Sequence, residues 1–321
     1  MKHLIIVNPK AGHVEESKAL IDVISAAFKG LDYDIHLSKG PREVIDFLPS
    51  YCKQHDSDTI RIYACGGDGT IHEAANGLIG CSNAELAIYP SGTGNDFVKI
   101  YSKSDDYNEI VKNSSGVKRF KDFQALINAK AYPIDISEIQ GESLSKPWYS
   151  INVINYGFDA IVGAKGNENK LKGKKDPYGF TNAILPAILH GRSNQIEVFA
   201  DGEKLNEKKL LLSSVSQAQW VGGEYHASPK ADNTDGLMDV IIIKTMSFIG
   251  LMSKYFSAYQ HGTHLDNPKK FNKVIYRRAK NVKLVSEKDF DICVDGEILK
   301  GKSFEINCLP GAIKLVIPEQ I

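Results

Sequence analysis

Ile60-Arg61-Ile62-Tyr63-Ala64-Cys65-Gly66-Gly67-Asp68-Gly69-Thr70 is an apolar run that ends in a glycine cluster and leads into residues 71–78, whose apolar positions recur at helical spacing. The stretch reads as strand, glycine loop, helix. Glycines let a backbone turn sharply and approach a phosphate closely, and the N–H groups opening a helix present partial positive charge to an anion. Asp68 is the odd member. A carboxylate inside a phosphate cradle repels the phosphate unless a divalent cation or an ordered water stands between them. The loop Gly66 to Thr70 therefore predicts a bound nucleotide with magnesium. At ordinary residue frequencies the pentapeptide arises by chance in about 5 of 10,000 chains of this length. Neither GxxxxGK[ST] nor a GxGxxG following a strand is present, which argues against P-loop ATPases and nicotinamide dehydrogenases.

Outward from this stretch, short apolar runs alternate with amphipathic ones. Residues 4–7, 33–37, 60–65 and 85–89 read as strands, and 16–28, 43–52 and 71–78 as helices. Such alternation indicates βαβ crossovers and a largely parallel sheet, whose ligands bind beyond the carboxyl ends of the strands. Four loops follow those strands: 8–12, 38–40, 66–70 and 91–96. Neighbouring strands would place all four along one edge.

The pattern changes after about residue 130. Strand candidates dominate from 134 onward, at 148–154, 195–200, 209–215, 238–243, 274–276, 281–285, 291–294, 303–307 and 313–317, with helical interruptions at 180–190 and 248–261. We expect an α/β domain over 1–130 with a Rossmann-like, three-layer, mostly parallel sheet, then a β-sandwich-like domain over 131–321. The boundary falls within 128–134, the C-terminal segment is free to pack back on the first domain, and the active site is expected in the cleft.

Composition fits this picture. The chain has 321 residues, 42% of them hydrophobic and 24% charged, which suits two soluble domains. Lys plus Arg and Asp plus Glu are both 39, so no global charge recruits nucleic acid or a membrane. Five cysteines without a CxxC pair read as reduced thiols of a cytoplasmic protein. The first apolar run is too short for a signal peptide, and no segment has the length of a membrane span.

Other constellations are less specific one by one. Asn8-Pro9-Lys10-Ala11-Gly12 is a turn by backbone rules. Ser91-Gly92-Thr93-Gly94-Asn95-Asp96 is a second glycine turn after a strand and offers hydroxyl, amide and carboxylate groups. The loop from Pro229 to Asp239 is rich in Asp and Asn and suits either a hard cation or an Asx turn. Asp295-Gly296-Glu297 reads as a hairpin turn, and carboxylates at i and i+2 of an extended chain share a side, which suits a base beside a metal or water ligand. Lysines 165, 170, 172, 174 and 175 form either a solvated basic loop or a surface for anionic headgroups.

Taken in order, Asn8-Pro9 with Gly12, GGDGT at 66–70 followed by Glu73 and Asn76-Gly77, GTGND at 92–96, Gly157 with Asp159-Ala160, Asp235-Gly236 and Asp295-Gly296-Glu297 resemble the diacylglycerol kinase catalytic-domain family. The match runs over nearly the whole chain. It is similar to the bacterial soluble lipid kinases, whose relatives include sphingosine and ceramide kinases and, more remotely, NAD kinase. The resemblance implies an ATP- and magnesium-dependent lipid kinase of phospholipid biosynthesis, with diacylglycerol as acceptor. It implies ATP on Asn8, Pro9, Lys10, Ala11, Gly12, Ser38, Gly66, Gly67, Asp68, Gly69, Thr70, Ile71, His72, Glu73, Thr93, Gly94, Asn95 and Asp96, with Asp68 organising magnesium or its waters. It further implies a structural magnesium on Asp235 and the carbonyls of Asp232 and Leu237, and a catalytic base at Glu297 or Asp295. His72 stands where Asn is usual in the family, and its role is left open by the resemblance. Two other readings stay open: phosphorylation of a soluble acceptor as in NAD kinase, and a non-catalytic regulatory nucleotide binder. A peripheral contact with the inner membrane face through residues 165–175 is expected. Oligomeric state, a homo-oligomer included, is left open by the sequence.

Overall fold

The computed structural model describes residues 1–9, 14–102, 104, 106–112, 114–157, 195–207 and 209–319. The expected ligands Lys10, Ala11 and Gly12, the Asp159-Ala160 pair, the lysines of 165–175 and the helix at 180–190 lie outside the described residues. Two compact units result: Met1–Asp135 with Pro310–Ile321, and Ile136–Leu309.

In the first unit β1 (Lys2–Val7), α1 (Val14–Ala27), β2 (Tyr33–Leu37), α2 (Glu43–Gln54), β3 (Ile60–Gly66), α3 (Asp68–Leu78) and β4 (Ala84–Pro90) alternate in chain order. The strands are parallel in the order β2, β1, β3, β4. Leu4 to Val7 in β1 and Ile60, Ile62, Tyr63 and Ala64 in β3 are buried without alternation, the signature of a parallel sheet covered on both faces. One charge breaks the run. Arg61 is buried, pairs with Glu85 at 2.8 Å and donates to the carbonyls of Leu126 and Ile127 at 2.7 and 2.8 Å, which satisfies its guanidinium. Short helices at Tyr107–Val111, Ser115–Arg119 and Phe123–Asn128, which the periodicity did not suggest, follow β4.

The second unit is mostly antiparallel. Its strands include β6 (Trp148–Ser150), β7 (Val153–Gly157), β8 (Glu197–Ala200), β9 (Glu203–Lys204), β10 (Leu210–Ser216), β11 (Met238–Lys244), β12 (Val274–Ala279) and β13 (Asn281–Val294). The chain passes between the units within β5 (Lys130–Gly141) and within β14 (Glu297–Ile317). The central order is β12, β11, β10, β7, β13, β14. Ile154 and Tyr156 of β7, Val215 of β10, Val240 and Ile242 of β11 and Ile292 and Val294 of β13 share one buried face by register.

Three expectations about these elements are corrected. The single strand expected at 148–154 is two strands, because residues 151 and 152 turn their N–H groups to a carboxylate instead of a ladder. The separate pieces at 281–285 and 291–294 join as β13, with a register shift between Val285 and Phe290, and those at 303–307 and 313–317 join within β14. The helix expected at 248–261 ends at Gln260 and contains a π-turn at Leu251–Tyr255.

Candidate functional site

Where they are described, the loops after the first unit's four strands open from one edge. Val7 stands beside Leu37 and Cys65, and Gly66 beside Pro90, so the carboxyl ends of β2, β1, β3 and β4 are level. Ser38 N–H donates to Val7 O at 3.0 Å, Asn8 N–H to Cys65 O at 3.3 Å and Ser91 N–H to Gly66 O at 2.9 Å, which ties each loop to the next. The loops after β3 and β4 touch through backbone alone. A Cβ on Gly92 would fall 2.5 Å from the Cα of Gly67, a separation that no side chain survives. Asn95 holds the second loop from inside: its Oδ1 accepts Gly92 N–H at 3.0 Å and its Nδ2 donates to Gly92 O at 2.6 Å, with Asn95 itself at φ 48°.

α3 begins at Asp68, three residues earlier than a five-residue loop would allow. Gly67 is its extended N-cap, and the N–H groups of Thr70 and Ile71 donate to Gly67 O at 2.9 and 3.1 Å. Asp68 and Gly69 occupy the first two helical positions, where N–H groups have no intrahelical acceptor and the helix dipole favours an anion. Gly69 and Thr93 are exposed, while Glu73 and Ser38 are half-buried. Asn8 Nδ2 lies 3.5 Å from Thr70 Oγ1. The side chains of Ile71 and His72 are buried in the α3 packing, with the His72 ring near Asn76.

Asp68 Oδ1 accepts Phe97 N–H at 3.3 Å, and its Oδ2 reaches toward Gly94, against which the Asp96 carboxylate also packs. Asp96 is engaged by the buried Lys99, Nζ to Oδ1 at 2.7 Å. Burial first, then the neighbouring Asp96, pushes the Asp68 carboxyl up to about 7, against the pull of the Phe97 and Asp96 N–H groups and Lys99. Two carboxylates that share a single lysine, all oxygen in their donors, fit a hard divalent cation. Among the described residues no group of three or more His, Cys, Asp or Glu could hold a metal ion, so a cation here would need phosphate oxygens or water to complete its shell. The Asp96–Lys99 pair was missed in the sequence, although the i, i+3 spacing of opposite charges was a signal.

In the second unit the DG turn is a two-residue hairpin between β13 and β14, with Val294 opposite Glu297 and φ positive at Asp295 (49°) and Gly296 (100°). Positive φ breaks the two-residue alternation, so the two carboxylates do not form the same-side pair expected from an extended chain. The Asp295 carboxylate turns back into the break between β6 and β7. Its Oδ1 accepts Ser150 Oγ at 2.6 Å, Asn152 N–H at 3.1 Å and Val153 N–H at 3.0 Å, and its Oδ2 accepts Ile151 N–H at 2.8 Å. Glu297 is exposed at the start of β14.

In the Asp232 to Leu237 loop both carboxylates are held by protein groups. Asp232 Oδ1 accepts from Thr234 N–H at 3.0 Å and Thr234 Oγ1 at 2.6 Å, an Asx turn. Asp235 Oδ1 accepts Leu237 N–H at 3.0 Å, and its Oδ2 is ion-paired with Arg278 Nη2, so both oxygens are committed and a fixed positive charge already sits there. Arg278 also lies 3.5 Å from Asp239, whose buried carboxyl receives Tyr276 OH at 3.2 Å and is pushed up to about 6 by burial. Arg278 had no sequence signal; it meets Asp239 only through the register of β11 on β12.

Comparison with known proteins agrees with this arrangement. Residues 2–139 match the model of the diacylglycerol kinase catalytic domain, and 152–317 that of the YegS C-terminal NAD kinase beta sandwich-like domain. The chain is 28% identical to a diacylglycerol kinase of Bacillus subtilis (strain 168) over 74% of this chain and 70% of that one, and 24% identical to a diacylglycerol kinase of Mycobacterium tuberculosis (strain ATCC 25618 / H37Rv) over 98% and 94%. Its fold is similar to a crystal structure of a diacylglycerol kinase from Bacillus anthracis str. Sterne, with a TM-score of 0.66, 21% identity, and coverage of 98% of this chain and 96% of that one. With the YegS C-terminal model covering more than half its length and the diacylglycerol kinase catalytic-domain model covering residues 2–139, the chain belongs to the YegS-type family, carries a diacylglycerol kinase catalytic domain, and is a lipid kinase.

Proposed function

We propose that the protein transfers the γ-phosphoryl group of ATP to the free hydroxyl of diacylglycerol with the help of magnesium. The observation that carries this reading is the level edge of β2, β1, β3 and β4, where two glycine loops in backbone contact flank the N-terminus of α3 with Asp68 in its first turn. ATP phosphates belong on the open N–H groups of Asp68 and Gly69, with Asn8, Ser38, Glu73 and Thr93 around them. Magnesium, when bound, would neutralise charge on the phosphate oxygens with Asp68 as its protein-side carboxylate.

Glu297 is the base in this reading, since Asp295 spends both oxygens on Ser150 and the 151–153 backbone. The acceptor oxygen attacks the γ-phosphorus as its bond to the β-bridging oxygen breaks, ADP leaves, and the acceptor's proton passes to Glu297. Phosphoryl transfer has a loose transition state, so positioning and charge neutralisation dominate and the base acts late. The protein would work in the cytoplasm, at the inner face of the membrane that holds its acceptor.

The test is incubation of the purified protein with labelled ATP and a total lipid extract, followed by mass spectrometry of the products. Phosphatidic acid that accumulates only with magnesium is the expected result. A phosphorylated soluble acceptor with no lipid product would replace this reading.

A further inference from the structure

We propose that the helical segment at 248–260 and the ends of the strands beside it form a docking surface for an anionic phospholipid bilayer. The segment leaves β11 at Lys244 and lays Leu251, Tyr255, Ala258 and Tyr259 onto Leu211, Leu212, Ile243 and Phe271. With that face committed to the core, the opposite face points outward and carries Ile249 and Met252 at i, i+3, 78% and 40% exposed. Ile249 is the most exposed large hydrophobic residue among the described ones, and the others of that kind stand singly in sequence. The π-turn at Leu251–Tyr255 lies within this segment, a local geometry that occurs preferentially at functional places.

Basic residues sit on the same segment and on the strand ends joined to it. Lys244 N–H donates to Lys273 O at 2.8 Å, and Thr245 Oγ1 donates to Lys209 O at 2.7 Å, so three lysines gather at one end of β10, β11 and β12. Lys254, Lys269 and Lys270 follow on the segment and the loop after it, all exposed. Against these six lysines the described residues of the same stretches, 207–210 and 244–273, hold the acids Glu207 and Asp266. Exposed apolar side chains on a segment with basic neighbours match a bilayer's two attractions, acyl chains for the apolar pair and anionic headgroups for the lysines. A second copy of the chain is the poorer occupant, because a two-fold contact would bring the same six lysines against each other. The surface rests on the reading of a membrane-borne acceptor only for its purpose; its residues are separate from every group assigned to ATP or to the base.

Flotation of the full-length protein with extruded vesicles, without ATP, tests it. Binding to phosphatidylcholine vesicles containing about one-third phosphatidylglycerol is expected, with release as salt rises and weak binding to phosphatidylcholine alone. The double variant Ile249→Ser, Met252→Ser and the double variant Lys244→Gln, Lys273→Gln should each weaken binding about tenfold or more. Both should phosphorylate a short-chain, monomeric diacylglycerol as the wild type does, which also shows them folded. Wild-type protein that ignores anionic vesicles, variants that bind like wild type, or a dimer in light scattering that the Ile249→Ser, Met252→Ser variant dissolves would each overturn the surface. Vesicle binding that behaves as expected while wild type leaves the short-chain acceptor untouched would instead sink the acceptor reading and leave the surface standing.

Discussion

Asp68 and Asp295 each stand beside a glycine just past the end of a strand, and the molecule treats them in opposite ways. Asp68 faces another carboxylate and has a long 3.3 Å bond from Phe97, so its charge is poorly met by the protein and its carboxyl is held up near 7. Asp295 has four donors between 2.6 and 3.1 Å. An acid left wanting positive charge is equipped to take it from a ligand, whereas a saturated one builds the chain around itself. Of the two turns that look alike in sequence, one leaves its acid poorly satisfied by the protein and the other is a clamp that sets where β6 ends and β7 begins.

The contrast can be broken most directly at Asp295. Asp295→Ala leaves three backbone N–H groups and the Ser150 hydroxyl without their acceptor and puts a Cβ residue without a helpful side chain at φ 49°, which should cost about 5 kcal/mol of stability in urea unfolding. A loss under about 1 kcal/mol would mean the clamp is ornamental. Next comes Glu297→Gln, which should slow lipid phosphorylation about 10²–10⁴-fold, roughly 3 to 5 kcal/mol of barrier, while leaving the unfolding midpoint in place. Turnover at the wild-type rate would return the base assignment to Asp295 or remove it.

Acid sensitivity gives a third measure. His226 and His264 are both pressed down to about 4, chiefly by burial, and His264 Nε2 has no partner among the described residues. The unfolded chain takes up these protons below about 6.5 and the folded one only near 4, so this stability is fully present above 6.5 and drains away between 6.5 and 4. Asp239, raised to about 6, acts with the opposite sign over roughly 4 to 6, as does Asp68 up to about 7. The clean readout is therefore a difference. From pH 7 to 4.5 the wild type should lose about 3 kcal/mol relative to His264→Asn in urea unfolding, and parallel pH curves for the two proteins would contradict a buried neutral His264.

The smallest effect sharpens the comparison most. Asp68→Asn removes a charge that the protein itself does not neutralise, so at pH 8 without magnesium it should stabilise the protein by about 1 to 2 kcal/mol even as it abolishes turnover. The sign is what matters. A destabilised Asp68→Asn would make Asp68 another clamp.

The alternation of strand and helix, the glycine turn after 60–65 and the DG hairpin were legible from residue order, because each depends on groups a few residues apart: apolar period, φ preference, the missing Cβ. The bounds of β2 were read to the residue, and those of β3 and β4 to within one. What failed to show was set by distant partners. The strand expected at 148–154 breaks because of a carboxylate 145 residues from Ser150, and the suspected cation loop is held by Arg278, 43 residues beyond Asp235. Long strands such as β14 were cut into pieces where polar or glycine residues interrupt the pattern, since hydrogen bonding to a neighbouring strand costs a side-chain pattern nothing.

By itself the sequence determined the glycine loops and the helix opening between them, since steric freedom at Gly66, Gly67 and Gly92 and the dipole of the helix that follows are properties of local chain. Only the tertiary structure decided which acids are open to chemistry. Asp68, Asp235 and Asp295 are the same side chain in similar turns, and what separates them is the charge and the donors that folding brings within 3 Å.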